Sequence, residues 1–132
     1  MTDLELQDCC RFWQQTLRLQ DVQIEVRFVR KLELDATGQT TLRSDNNGAL
    51  IQVCPQSLAN QDTLWSMDEE VILVHELLHV QERVWACSSE WRDLKKSKVI
   101  DSAHEAGIER TAEALVALRR QLLLQELGIV KS

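Results

Sequence analysis

The sequence predicts one α+β domain: an N-terminal helix, a small three-stranded, mainly antiparallel sheet, and two further helices. Three observations carry this expectation. Val22, Ile24, Val26 and Phe28 alternate with Gln23, Glu25 and Arg27, the two-residue period of a strand with one buried face. Thr2, Ser66 and Ser102 each stand three positions ahead of a Glu and open stretches of helical apolar spacing. Between the first two of these lie the turn signals DATGQ and SDNNG, which separate short β-prone runs. A chain of 132 residues, 44% hydrophobic, suits one core and is too short for two.

Taken in order, Thr2 and Glu5 cap a first helix over about residues 3–19, with Leu6, Cys10, Trp13 and Leu17 on its inner face. The alternating strand follows. Beyond Leu34, the segments TTLR and ALIQVC complete a meander that Pro55 ends. Ser66 and Glu69 then predict a second helix over about 67–85, running through VILVHELLHV, with Asp68, Glu69 and Glu70 complementing its N-terminal dipole. After the loop CSSEWRDLKKSK, Ser102 and Glu105 open a long helix over about 102–127 that Gly128 closes. Ile108, Ala112, Leu115, Leu118 and Leu122 form its expected buried stripe.

Composition narrows the function classes. The formal net charge is -6, which argues against general affinity for nucleic acid. The basic excess in WRDLKKSK reads as a solvated loop. The opening MTDLELQDCCRFWQQ has no basic segment followed by an apolar run, and no later apolar run is long enough to span a bilayer, so a cytoplasmic protein without a membrane partner is expected. Cys9, Cys10, Cys54 and Cys87 form no CxxC pair and read as reduced thiols, mostly buried.

Chemistry concentrates in VHELLH, residues 74–79. His75 and His79, four apart on a helix, project from nearly the same face about 6 Å apart along the axis, so their imidazoles can converge on one ion. Glu76, one residue on, lies to the side of that line, where a general base belongs. The pattern is short enough to arise by chance. Its flanks, however, are so apolar that two histidines and a glutamate placed among them cost several kcal/mol unless something pairs them.

A zinc site of this kind takes a third protein ligand. SAHEAGIERTAEAL offers Glu105, Glu109, Glu113 and His104. The glutamates are spaced by four and share a face, where like charges repel unless a cation or an imidazole N–H faces them. Glu105 is accounted for as a cap, and Glu109 borders the buried stripe beside Val116. Glu109 is therefore the preferred ligand and Glu113 the acceptor that orients a histidine, although periodicity alone does not exclude Glu105.

These segments resemble compact zinc metallopeptidases of the gluzincin type, especially the short ones of phages and prophages. WQQTLRLQDVQIEVRFV is similar to that group's opening helix and first strand, VILVHELLHV to its active-site helix, and IERTAEALVALRR to its glutamate helix. The resemblance implies a minimal zincin-like domain spanning residues 1–132 that hydrolyses peptide bonds in a peptide or protein substrate. His75, His79 and Glu109 would bind one zinc ion, Glu76 would be general base and acid, and Glu113 would be the acidic residue one turn later. Ala49, Leu50, Ile51, Gln52 and Val53 would form an edge strand for an extended substrate. The chain departs from larger gluzincins in having no Tyr, which leaves His104 as the candidate transition-state stabiliser or a further zinc ligand. The alternative is a zinc-stabilised, non-catalytic protein-binding or regulatory module on the same scaffold.

Overall fold

Six elements follow one another in the computed structural model, which describes residues 1–30, 36–43, 48–55, 68–82 and 96–128. They are α1 (Asp3–Thr16), β1 (Gln23–Phe28), β2 (Gly38–Arg43), β3 (Gly48–Val53), α2 (Glu69–Gln81) and α3 (Lys98–Glu126). The fold is α+β. Among the described residues, no helix is long and apolar enough to cross a membrane.

The first capping box is present, with Glu5 N–H donating to Thr2 Oγ1 and Thr2 N–H to the Glu5 carboxylate. α1 ends three residues before the expected Leu19, because Arg18 takes a φ of +58°. There Arg18 N–H donates to the Gln15 carbonyl and Leu19 N–H to the Gln14 carbonyl, the paired bonds of a Schellman ending. The Gln14 side chain then donates to the carbonyls of Leu19 and Val22, fixing the turn into β1.

The sheet is not a meander. Its order is β1-β3-β2, with β1 parallel to β3 and β2 antiparallel to it. Local turn signals foretell strands that follow one another but not which strand lies between the others; here the apolar β3 takes the centre. This overturns the expectation that Ala49, Leu50, Ile51, Gln52 and Val53 form an edge. Paired on both sides, they have no free edge to offer a peptide. The two edges are β1, one of whose carbonyls (Val26) accepts from Gln7 of α1 at 2.7 Å, and β2.

The register places Val26, Ile51 and Thr40 side by side, flanked by Phe28, Val53 and Gly38 and by Ile24, Ala49 and Leu42. This face packs on α1 and α2 and supplies the core with Val26, Ala49, Ile51 and Val53. α2 adds Ile72, Leu73, Val74, Leu77 and Val80, and α1 adds Leu6, Cys9, Cys10 and Trp13. α3 lies against α2.

Both later helices start differently from expectation. Asp68 caps α2, accepting from Glu70 N–H at 2.9 Å, while Ser66 falls outside the described residues. α2 ends at Gln81 instead of 85. α3 begins at Lys98, so Ser102 and Glu105 are interior helical residues and form no cap. Its buried stripe is Ile108, Ala112 and Val116, whereas Leu118 and Leu122 are about half exposed, at 53% and 51%. With 29 residues against 13 in α2, α3 outruns its partner, and its last turns have less to pack on.

Candidate metal centre

Four polar side chains of α2 point in two directions. Glu70 points toward α1 and the far end of α3, while His75, Glu76 and His79 turn to a cleft between β2 and the first half of α3. This cleft holds about 500 Å³. Thr37, Gly38, Thr40 and Leu42 wall it on the sheet side, and Glu105 and Glu109 on the other.

The two imidazoles face each other across one helical turn. Their Nε2 atoms are 3.2 Å apart. Glu105 meets both, with Oε2 at 3.2 Å from His75 Nε2 and Oε1 at 3.3 Å from His79 Nε2. Each ring is held from behind by a carboxylate: His75 Nδ1–H donates to Glu109 Oε2 at 2.6 Å and His79 Nδ1–H to Glu82 Oε1 at 2.9 Å. A carboxylate only accepts, so each ring offers a hydrogen on Nδ1; each Nε2 also faces the Glu105 carboxylate, and so presents a lone pair only where an ion stands between them.

That arrangement revises the sequence expectation by one turn of helix. Glu105, not Glu109, meets the convergent nitrogens, and one donor atom from each of His75, His79 and Glu105 lies within 4.8 Å of the others. Glu109 takes the orienting place that the sequence reserved for Glu113, which is exposed on α3 and does not line the cleft. The cause is the earlier start of α3, which frees Glu105 from capping. Asp101, His104 and Glu105 form a second group with donor atoms equally close.

Glu76 is buried, at 7% exposure, beside the two histidines. Thr40 Oγ1 donates to its Oε2 at 2.5 Å, reaching it because the sheet register turns Thr40 toward α2. Burial pushes the Glu76 carboxyl above its ordinary value, while the Thr40 hydrogen bond and the neighbouring histidines pull the other way without cancelling it. Gly38 lets the strand come this close. A Cβ there would stand 2.7 Å from Ile72 Cγ2 and 3.1 Å from Glu76 Oε1.

His104 does not line the cleft. Its Nε2 meets Glu82 Oε2 at 2.5 Å, and its ring lies 6.2 Å from that of His79, on a recess behind the histidine pair. Thr40, Gly38 and Glu82 escaped the sequence reading. For Glu82 a signal existed, its position three residues after His79; for Thr40 and Gly38 none did, since their roles depend on sheet order.

Compared with known protein-family models, curated proteins and solved structures, the chain matches none.

Proposed function

We propose that this chain is a zinc-dependent peptide-bond hydrolase with a zincin-like catalytic helix. One observation carries the reading: three potential ligand groups, the Nε2 atoms of His75 and His79 and the Glu105 carboxylate, converge in an open cleft with a buried carboxylate beside them. Held at such distances, these groups need a proton or a metal ion between them, and the site can hold a metal. Two imidazoles and a carboxylate are a donor set that zinc favours, and three ligands leave it an open position. The pairing of Glu105 with Glu109 also preserves the glutamate-then-acid spacing of the gluzincin resemblance, one turn earlier than expected.

Bound there, zinc supplies Lewis acidity. The rest of the chemistry falls to the chain. Glu109 and Glu82 hold the imidazole rings in one tautomer and orientation. Thr40 occupies Glu76 Oε2, which leaves Oε1 to accept a proton from water and pass it to the departing amine. Because burial raises its pKa, Glu76 is a better proton carrier near neutral pH than an exposed glutamate. With β3 enclosed, β2 is the sheet edge beside the cleft for an extended substrate.

Glu76→Gln should leave zinc content unchanged and lower cleavage of a mixed peptide library by about 10²–10⁴-fold, whereas His79→Ala should lose both metal and cleavage. Mass spectrometry of the products together with metal analysis reads both. Wild-type cleavage by Glu76→Gln sinks the mechanism. The zinc-stabilised binding module is the second reading, favoured by the absence of tyrosine and by the position of His104 outside the cleft. Stoichiometric zinc with no cleavage by wild type supports it instead.

A further inference from the structure

Behind His79, between the cleft and the recess that holds His104, Glu82 stands between two imidazoles. Its Oε1 meets His79 Nδ1 at 2.9 Å and its Oε2 meets His104 Nε2 at 2.5 Å. The side chains of Glu82 and His104 are largely enclosed, at 21% and 14% exposure. The two histidines approach with rings tilted at 63°. On the other ligand, Glu109 sits in the interior of α3, where the helix backbone alone fixes its Cα. Glu82 is held only at a helix end, its N–H donating to the Leu78 carbonyl. It is the C-cap residue of α2, where the last turn frays readily, and its negative charge opposes the dipole of the helix end. A carboxylate in that place needs a second anchor to keep one oxygen on His79.

We propose that Glu82 and His104 form a two-residue clamp that positions His79, with His104 reaching from α3 to hold the outer oxygen of Glu82 while the inner oxygen orients the ring. The clamp rests on the metal reading of the site. Neither residue touches the point where the potential ligand groups converge, so both act through His79 as positioning residues.

Zinc affinity, measured by competition with a chromophoric chelator, tests it on the full chain. Glu82→Ala should weaken zinc binding by about 10–100-fold. His104→Ala should weaken it in the same direction, and His104→Gln, whose amide can still donate to Glu82, should recover most of the loss. The double variant Glu82→Ala/His104→Ala should bind no worse than Glu82→Ala alone, because His104 acts through Glu82. With cobalt in place of zinc, the visible absorption bands should shift in His104→Ala and return in His104→Gln, a response that lost stability alone does not give. Thermal melts of the metal-free proteins separate folding from binding, and His104→Gln decides if His104→Ala melts early. Unchanged affinity in His104→Ala, or additive losses in the double variant, overturn the clamp while leaving the metal site standing. Absence of zinc binding by the wild type overturns both.

Discussion

Glu70 illustrates how far a single side chain can differ from its local reading. In sequence it is one of three acids complementing the start of a helix, yet it is buried at 6% exposure and joins α1, α2 and α3. Trp13 Nε1–H donates to it at 2.7 Å and Cys9 at 3.3 Å from α1; Arg119 and Arg120 pair with it from α3. Burial alone would raise its pKa, but the Trp13 and Cys9 hydrogen bonds and the Arg119 charge outweigh burial and hold the carboxyl below its ordinary value of 4.5. A depressed folded value gives stability that is complete above 4.5 and disappears as pH falls through the folded value. Glu70→Gln should therefore cost about 3–5 kcal/mol at neutral pH by leaving buried donors and cations without their counter-charge. It should also lose less on acidification than the wild type does. Urea denaturation across the acid range checks both, and parallel acid limbs in the two proteins contradict the assignment. The thiols share this setting: burial pushes Cys9 up to about 12 and Cys10 to about 11, which makes them poor nucleophiles in the folded chain.

At the level of elements, most of the architecture was legible. Apolar period and the Thr2 cap located α1, strict alternation located β1, and Gly128, at φ +70°, marked the end of α3. The start of α3 was not legible, because Ser97 bears no side-chain capping bond while Ser102 mimics one in sequence. That four-residue difference made Glu105 read as a cap and Glu109 as the preferred ligand, whereas it is the Glu105 carboxylate that faces both histidine Nε2 atoms. Two glycines test the neighbouring elements in opposite directions. Gly107 lies in the middle of α3 with nothing within 4 Å of an added Cβ, so Gly107→Ala should stabilise by roughly 1 kcal/mol through helix propensity. Gly38→Ala must push β2 from α2 and should destabilise by about 1–3 kcal/mol and, on the proposed function, also reduce cleavage, since Thr40 moves with the strand. Thermal denaturation of the pair reads the signs; a neutral Gly38→Ala contradicts the close approach.

For the whole molecule, the sequence carried the class, α+β, but not the order of strands. Alternation tells which residues face inward, whereas order is decided by which strand buries both edges, a property of the assembled sheet. The same limit hid Thr40, whose partner Glu76 lies 36 positions away. A metal that binds only the folded chain should raise its stability by about 2.7 kcal/mol at a hundredfold excess over Kd. For a domain of this size that is a rise in melting temperature on the order of 10 °C. Calorimetry with zinc and after chelation measures it, and identical transitions would speak for a metal-free domain.

The strand order also governs the sequence of events in folding. Arg43 pairs with Gly48 across five positions, but Gln23 pairs with Gly48 across 25. By loop-closure entropy alone the wider gap costs roughly 1.4 kcal/mol more, so the β2–β3 hairpin closes first and β1 is added to a template already formed. During translation, the opening helix and strand leave the ribosome before the segment that will receive them exists. Until Val53 emerges, β1 lacks the full strand that pairs with it in the finished sheet.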